Sequence, residues 1–288
     1  MSAVKRRDLL GLAASLPALP VRAQVAARRP LAVALGSGSM HGLAHIGIVR
    51  ACEKLDLVPD LIVGSSVGAA VGALWAAGLD SGAIERTARS LDWTNAGSWT
   101  LPWRGLKHLD GLRRALTDAI GERNIEDLPR RFAAVATALA DGSCVVLDRG
   151  PVDVAVAASS AIPVLFVPVT IGGLELVDGS LCAPVPVDPA RERGGDGAVV
   201  LAVDVAYRPA DEPPRLLTDI AFQTLHILVN ALAAEQIARA DVALRLSLHH
   251  LMLGPDASPD ALIDAGEKAL TDAWPWLRER LGVPASAR

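Results

Sequence analysis

Short apolar runs alternate with amphipathic stretches along most of the chain. Runs rich in β-favouring residues are predicted to form strands at 31–36, 60–65, 132–139, 143–148, 173–179, 198–205 and 242–248. Apolar residues recur at helical spacing over 43–55, 67–77, 79–91, 110–120 and 262–281. Apart from the strand at 242–248, the C-terminal half of the chain is predicted to be helical. Because the strands are apolar throughout and are separated by helices, the pattern predicts an α/β fold of three layers. Its mostly parallel central sheet is buried by helices on both faces.

Length and charge narrow the class of protein. A chain of 288 residues, half of them hydrophobic, is long enough for one large α/β domain, which we place at 31–288. The net charge of −4 and the lack of a basic run in that domain argue against a nucleic-acid partner. Cys52, Cys144 and Cys182 have no metal-binding spacing, so we predict no metal site and treat all three as small buried residues.

The N-terminus has the features of an export signal. Twin arginines, Arg6 and Arg7, precede the apolar stretch LLGLAASLPALPV, and Val21-Arg22-Ala23 resembles a cleavage site. The stretch is too short to span a bilayer. We therefore predict that residues 1–23 are a twin-arginine signal peptide and that the protein is exported to the periplasm. A basic helix that stays on the protein is the alternative.

A serine lies between two glycines where the second strand passes into a helix. In Gly64-Ser65-Ser66-Val67-Gly68 the glycines allow a sharp bend with little cover over Ser66. Ser66 would then lie at a helix N-terminus, where amides and the helix dipole favour developing negative charge. The pattern predicts a nucleophile, although glycine and serine are also ordinary turn residues.

A glycine-rich loop follows the first strand, at Gly36-Ser37-Gly38-Ser39-Met40-His41-Gly42. A dinucleotide site would need glycine where His41 stands, and a phosphate-binding P-loop would end in Gly-Lys-Ser/Thr. An oxyanion hole needs only well-placed amides beside the nucleophile, and Ser66 follows the next strand. Both loops would lie at the carboxyl ends of neighbouring strands, where open α/β sheets bind ligands.

These two motifs, in this order, resemble the opening of the patatin-like phospholipase family. The stretch ASSAIPVLFVPVTIGGLELVDGSLCAPVPV (158–187) is similar to that family's second block, which ends here in Asp178-Gly179-Ser180. The resemblance implies a Ser66–Asp178 catalytic dyad, with Gly36, Ser37, Gly38 and Ser39 as the oxyanion loop and Gly64 and Gly68 flanking the nucleophile. It also implies hydrolysis of lipid or other acyl esters through an acyl-enzyme intermediate, without a cofactor or metal.

The glycine-rich loop departs from the family pattern. Aligning its last glycine on Gly42 places Ser37 and Ser39 at two glycine positions, and His41 takes the place of an arginine. A histidine titrates near neutral pH and offers fewer donors than arginine. His41 is therefore expected either to order the loop more weakly or to add a pH dependence, unless it is only a partly solvated loop residue.

Two other functions remain open. A Ser–His–Asp hydrolase would need a histidine after the acid, and His226, His249 and His250 are available. The apolar surroundings of His226 favour a packed side chain, and His249-His250 is expected to mark the end of an element. The second alternative is a non-catalytic lipid-binding or scaffold protein with a decayed site.

Trp93, Trp99 and Trp103 lie together in a stretch interrupted by glycine and proline. Tryptophan suits a lipid–water interface, so this stretch is either a lid that touches a membrane transiently or part of the core. The proline-rich and charged segment 208–215 is predicted to be a surface loop. The sequence leaves the ester class and the oligomeric state open.

Overall fold

The computed structural model describes residues 28–91, 105–205, 216–252 and 258–284. Over this part of the chain it forms one eight-stranded sheet in the order β5-β6-β3-β2-β1-β7-β8, with β4 paired to β3. The ladders that join β3, β2, β1, β7 and β8 are parallel, and those involving β4, β5 and β6 are antiparallel. The strands are β1 (Leu31–Leu35), β2 (Leu61–Ser65), β3 (Arg131–Ala138), β4 (Cys144–Leu147), β5 (Val169–Ile171), β6 (Leu174–Asp178), β7 (Val199–Asp204) and β8 (Val242–Arg245).

Helices cover both faces of the sheet. Leu31, Val33 and Leu35 of β1 join one buried cluster, while Ala32 and Ala34 point into another. The first cluster holds side chains of α1 to α5 and α8, and the second holds side chains of α6 and α7. The helices are α1 (Leu43–Lys54), α2 (Val67–Ala76), α3 (Ser81–Ser90), α4 (Asp110–Ile120), α5 (Val152–Ser159), α6 (Val187–Gly194), α7 (Leu217–Ile237) and α8 (Pro259–Leu281). The predicted three-layer α/β fold is therefore confirmed.

The strand β3 brings distant parts of the chain together. Ser65, the last residue of β2, lies opposite Val135, and Asp178, the last residue of β6, lies opposite Ala136. Because Val135 and Ala136 both also pair with β4, strand β4 occupies the opposite edge of β3. The ends of β2 and β6 therefore meet at consecutive positions along a single edge, although they are far apart in sequence.

The prediction for two of the three cysteines is wrong. Cys144 is exposed and Cys182 is half-buried, and they form a disulfide with a Cα–Cα distance of 5.5 Å. Cys144 pairs with Thr137 of β3, while Cys182 follows the turn after β6, so the topology itself brings them together. Only Cys52 is free and buried as predicted.

Among the described strands and α-helices, the sequence pattern missed β5, α5 and α6, whereas α7 lies in the C-terminal half that was predicted to be helical. The segments predicted at 1–23 and 208–215 lie outside the described residues. Among the residues that are described, no helix combines the length and the apolar character needed to cross a membrane.

Candidate active site

Ser66 occupies a strained turn between β2 and α2. Its backbone has φ 54° and ψ −123°, a combination that non-glycine residues rarely adopt. The chain is also packed tightly on both sides of the serine. A Cβ on Gly64 would collide with the backbone of Ala69, and one on Gly68 would collide with the carbonyl of Leu35. Both glycines are therefore needed for close approach of the backbone, as in a nucleophile elbow.

The side chains of Ser66 and Asp178 are in direct contact. Ser66 Oγ donates a hydrogen bond to Asp178 Oδ2 at 2.8 Å, across 112 positions of sequence. The other carboxylate oxygen, Oδ1, accepts from the Ser180 amide at 2.8 Å, and the Asp178 carbonyl accepts from Thr137 Oγ1 at 2.8 Å. Asp178 is thus fixed at its backbone and at both carboxylate oxygens.

Burial determines the acidity of Asp178. The residue is 1% exposed, and loss of hydration raises the pKa of its carboxyl above the ordinary value of 3.8. The hydrogen bonds from Ser180 and Ser66 oppose this shift, but the effect of burial on the pKa is larger. A carboxylate with a raised pKa is a better proton acceptor than an ordinary aspartate, and it already lies at hydrogen-bonding distance from the serine hydroxyl.

A second serine holds the backbone of the nucleophile turn. Ser159, the last residue of α5, accepts a hydrogen bond from the Ser66 amide at 2.9 Å and donates one to the Val135 carbonyl at 2.6 Å. The Ser159 side chain is fully buried. It therefore ties the turn to β3, and sequence reasoning missed this role although Ser159 lies in the quoted stretch 158–187.

Fewer amides of the glycine-rich loop are available to bind an oxyanion than its sequence suggests. The Gly36 amide donates to the Val203 carbonyl at 2.9 Å, and the Ser37 amide donates to the Pro184 carbonyl at 2.8 Å. These two amides are therefore used in holding the loop. Gly38 and Ser39 lie at the start of a short 3₁₀ helix (Ser39–Gly42), where amides have no acceptor within the helix.

Two buried histidines belong to this loop and to the helix that follows it. His45 of α1 is fully buried and its Nε2 lies 2.8 Å from the Gly36 carbonyl, so Nε2 must carry a proton and donate it. Burial lowers the pKa of His45 from 6.5 to about 4. Sequence reasoning missed His45. His41 is buried as well, so the alternative of a partly solvated loop histidine is wrong.

One cavity contains most of these groups. Ser66, Asp178 and Ser180 contribute its polar floor, together with Ser37, Gly38 and Ser39 of the loop. Its apolar walls come from the segment after α5 and from α7, through Ile162, Leu165, Phe222, Leu225 and Val229. The turn glycine Gly179 is buried beside this floor, and Gly42 is buried at the end of the 3₁₀ helix.

His226 also lines the cavity, and burial lowers its pKa. The expectation of a packed side chain is therefore wrong, because His226 is only half-buried and lies on the cavity side of α7.

His249 and His250 begin another short 3₁₀ helix after β8, at an element boundary as predicted. Trp93, Trp99 and Trp103 lie outside the described residues. Within the described ranges, no cluster of His, Cys, Asp and Glu is arranged to hold a metal ion.

The sharp turn with its serine, the buried carboxylate and the adjacent glycine-rich loop define the class of site used by α/β acyl hydrolases. The family profile described as Patatin-like phospholipase matches residues 33–191, more than half of the chain. The chain therefore belongs to the patatin-like phospholipase family.

Comparison with individual proteins agrees with this assignment. An uncharacterized NTE family protein of Mycobacterium tuberculosis is 39% identical over 197 residues, which cover 65% of this chain and 52% of that protein. Lysophospholipase NTE1 of Yarrowia lipolytica is 28% identical over 189 residues, 64% of this chain and 13% of the relative. The matched region thus spans about half the length of the mycobacterial protein and a much smaller share of the Yarrowia lysophospholipase.

Two solved structures of bacterial proteins are also similar. VipD from Legionella pneumophila has a TM-score of 0.49 and 14% identity, with coverage of 88% of this chain and 67% of that one. ExoU in its complex with SpcU from Pseudomonas aeruginosa has a TM-score of 0.48 and 17% identity, with coverage of 89% and 53%.

Proposed function

We propose that this protein is a lipid acyl hydrolase that cleaves carboxylic esters with a Ser66–Asp178 dyad. The observation that carries the proposal is the hydrogen bond from Ser66 Oγ to Asp178 Oδ2 at 2.8 Å. A serine hydroxyl is a weak nucleophile until a base lies within hydrogen-bonding reach, and here the carboxylate itself is the group in contact. Membership of the patatin-like phospholipase family and similarity to a lysophospholipase support a lipid ester as substrate.

The reaction proceeds in two halves. Ser66 Oγ attacks the ester carbonyl carbon while its proton passes to Asp178, and the carbonyl oxygen takes up the negative charge. The intermediate collapses to an acyl-enzyme as Asp178 returns the proton to the departing alcohol oxygen. Asp178 then accepts a proton from water, the hydroxyl attacks the acyl carbon, and the proton returns to Ser66 as the carboxylic acid leaves.

We assign stabilisation of the oxyanion to the amides of Gly38 and Ser39. These residues line the same cavity as Ser66, whereas the Gly36 and Ser37 amides already donate to carbonyls. The bond from His45 to the Gly36 carbonyl supports a fixed position for the loop before substrate binds. An oxyanion hole gains its strength from donors fixed in this way, because they need no reorganisation during the reaction.

The decisive experiment combines labelling with turnover. A fluorophosphonate probe is expected to modify Ser66 in the wild type, and Ser66→Ala is expected to abolish labelling. Ser66→Ala and Asp178→Asn are each expected to lower turnover of a panel of lipid and short-chain esters at least about 10³-fold. Folded wild-type protein that neither reacts with the probe nor cleaves any ester would favour the non-catalytic alternative.

The Ser–His–Asp alternative is tested at its three histidines. Since the carboxylate already contacts the serine, His226→Ala, His249→Ala and His250→Ala are each expected to change turnover by less than about tenfold. His226 lines the cavity, so its loss is expected to act mainly on KM. A loss of about 10³-fold in kcat at any one of the three would instead support a triad.

Transient membrane contact forms part of the proposal. Four apolar residues near the cavity are 38% to 64% exposed, and they come from three separate segments: Met40, Val164, Ile227 and Leu228. Each lies within two positions of a residue that lines the cavity. Exposed apolar groups around a cleft are typical of a surface that meets a partner or a membrane.

A matched pair of variants tests this surface in a liposome flotation assay. The triple variant Val164→Ser/Ile227→Ser/Leu228→Ser is expected to lose binding to neutral phosphatidylcholine vesicles. Val58→Ser is expected to bind like the wild type, because Val58 is equally exposed but precedes β2 at the end of the sheet opposite Ser66. Equal binding by all three proteins would contradict membrane contact through this surface.

Export is the last component of the proposal. Disulfides persist in oxidising compartments, so the Cys144–Cys182 bond supports the periplasmic location expected from the N-terminal sequence. N-terminal sequencing of protein recovered from the periplasm is expected to begin after Ala23. Periplasmic protein that retains Met1 would contradict cleavage.

A further inference from the structure

The central sheet ends at β8, and the outer edge of this strand is open. Within the described part of the chain β8 pairs only with β7, so every second residue of β8 turns its amide and carbonyl away from the sheet. Ala243 and Arg245 of β8 are exposed, and a cleft lined by β8 and α8 lies beside them. An unpaired edge of this kind is a ready surface for another strand. We propose that β8 pairs antiparallel with β8 of a second copy of this chain, which makes the protein a two-fold symmetric dimer.

The charges along this edge are complementary to themselves. In a two-fold pairing centred on Ala243, that residue faces its own copy, and Asp241 of each chain faces Arg245 of the other. These three residues lie on one face of the strand, because side chains alternate between the two faces. Opposite charges directly across an antiparallel pair are stabilising. The symmetry therefore forms two ion pairs at once.

Both charged side chains keep bonding capacity for a second copy. Asp241 Oδ2 accepts from the Val200 amide at 2.9 Å and from Arg191 at 3.0 Å, whereas Oδ1 has no hydrogen-bond partner among the described residues. Arg245 donates from Nε to Asp204 Oδ2 at 3.0 Å, and its guanidinium carries further N–H donors. Bonds within one chain thus hold both side chains at the edge and leave an acceptor on one and donors on the other.

The other face of the edge is apolar. Val242 and Leu244 belong to the buried cluster that includes α8, and Trp276 of α8 is 66% exposed although it lines the cleft beside them. Pairing centred on Ala243 places Val242 opposite Leu244 of the second copy. Tryptophan is enriched at protein interfaces, where its large ring is buried on association. We therefore expect Trp276 to be covered when two copies meet.

Neighbouring registers of the same two strands fit less well. A two-fold centred on Val242 would bring Arg245 towards Arg239 of the second copy, and like charges directly opposite are destabilising. A two-fold centred on Leu244 would leave both charged residues of the edge facing uncharged ones. The charges therefore favour the register centred on Ala243.

The proposed dimer leaves both dyad cavities open. Ser66 follows the carboxyl end of β2, which runs in the same direction as β1, β7 and β8. Antiparallel pairing of β8 therefore places the two Ser66 residues at opposite ends of the dimer, and turnover per chain is independent of pairing. Since β8 has 4 residues, the interface is small, and we expect a dissociation constant of about 10–100 µM.

Analytical ultracentrifugation from about 1 to about 500 µM tests the pairing. Asp241→Lys and Arg245→Glu are each expected to weaken the dimer at least about tenfold, because each variant alone places like charges at both pairs. An equimolar mixture of the two is expected to recover dimerisation, since each then faces the opposite charge on the other. Arg114→Glu is the control, because Arg114 is exposed on α4 and does not line the cleft. It is expected to dimerise like the wild type.

Cross-linking tests the register directly. Residues that face each other in an antiparallel pair have Cα atoms about 4.5–5.5 Å apart, which a disulfide can span. Ala243→Cys is therefore expected to form a covalent dimer with oxidised glutathione, whereas Val58→Cys, exposed before β2, is expected not to. Trp276→Ser is expected to weaken the dimer at least about fivefold through loss of apolar burial alone.

The outcomes that contradict the dimer are distinct. Wild-type protein that stays monomeric at about 500 µM, or that assembles beyond two copies, would overturn the proposal. Unchanged dimerisation of both charge variants would show that another surface is used. Folded charge variants whose mixture does not recover, or Ala243→Cys that does not cross-link, would also overturn it. If circular dichroism shows that the charge variants are unfolded, Ala243→Cys and Trp276→Ser decide the question.

Discussion

The hydroxyl of Ser159 links the Ser66 amide to the Val135 carbonyl, and both hydrogen bonds are buried. The strained backbone at Ser66 is thus held by a side chain that takes no part in the chemistry. Strain of this kind persists only where the surrounding structure over-determines the conformation.

Replacing Ser159 by alanine is expected to lower kcat by about one to two orders of magnitude and the free energy of unfolding by about 1–3 kcal/mol. The reason is that the Ser66 amide and the Val135 carbonyl would both lose a buried partner. Steady-state kinetics and urea denaturation measure the two effects.

The neighbouring serine supplies the control. Ser160 is also buried, but among the described residues its hydroxyl has no hydrogen-bond partner. Ser160→Ala is therefore expected to leave the free energy of unfolding unchanged or slightly higher. Equal losses in the two variants would show that the Ser159 bonds are not what fixes the turn.

The carboxyl of Asp178 is expected to set the acid limb of activity. Burial raises its pKa, and only the ionised form accepts the serine proton, so kcat/KM should rise with pH through a midpoint above 3.8. A pH–rate profile of wild-type enzyme on a soluble ester measures this midpoint. A midpoint at or below 3.8 would contradict the assignment.

The same shift affects stability. A raised pKa in the folded state means that ionisation of Asp178 costs stability, and the cost appears as pH rises from the unfolded pKa through the folded one. Asp178→Asn is therefore expected to be inactive but to melt at a higher temperature than wild type at pH 7. This difference should vanish at pH values below the unfolded pKa. Ser66→Ala, equally inactive, should retain this pH-dependent loss of stability and show it extending to higher pH, because the variant removes a hydrogen bond that lowers the pKa of Asp178.

The buried His45 is expected to weaken the fold in acid. Its pKa is about 4 in the folded state and 6.5 ordinarily, so the unfolded chain binds a proton over an interval in which the folded protein does not. The contribution of His45 to the free energy of unfolding is fully present above about pH 6.5 and falls by about 3 kcal/mol as the pH drops to about 4.

Urea denaturation of His45→Phe as a function of pH measures this effect. The variant is expected to lose about 1–3 kcal/mol at pH 7, because the Gly36 carbonyl loses its donor, and to show a smaller decline in acid. His250→Gln is the control, since His250 is exposed. An unchanged acid decline in His45→Phe would rule out His45 as its source.

The Cys144–Cys182 disulfide is expected to stabilise the position of the catalytic base, Asp178. Cys182 lies four positions after Asp178, and its bond to Cys144 closes a loop with a sequence separation of 38. A loop of this length corresponds to about 4 kcal/mol in the chain-entropy account. Cys182→Ser, or a reducing agent, should therefore lower the melting temperature and kcat together.

Cys52 allows the effect of the bond to be separated from general thiol chemistry. Burial raises the pKa of Cys52 to about 12, so this thiol is unreactive at neutral pH. Cys52→Ala should respond to reduction like the wild type, whereas Cys182→Ser should no longer respond. A response to reduction in Cys182→Ser would contradict a role for the Cys144–Cys182 bond.

Local pattern was enough to predict the centre of the fold. The run Leu61–Val63 is apolar and is followed by Gly64, so strand, turn and helix could be predicted in order, and Ser66 stood out between Gly64 and Gly68. Asp178 was placed only by the family resemblance, because an aspartate before a glycine is otherwise an ordinary turn residue.

The remaining features depend on contacts between distant segments. The three-residue β5 is not fully buried and carries no strong pattern. The roles of Ser159 and His45 are hydrogen bonds to Ser66 and Gly36, which helical periodicity cannot reveal. The disulfide likewise depends on how β4 and the turn after β6 lie against β3, which the spacing of cysteines does not encode.

Because β2 and β6 pair with the same edge of β3, the position of the catalytic base Asp178 depends on strand register and not on the number of residues between Ser66 and Asp178. Sliding β6 by two residues along β3 would carry Asp178 about 7 Å from its place, whereas residues added between α5 and β5 would leave the ladder intact. The ladder therefore sets the distance between hydroxyl and carboxylate, and the loop between α5 and β5 supports it where the Ala161 carbonyl accepts a hydrogen bond from the Asp178 amide.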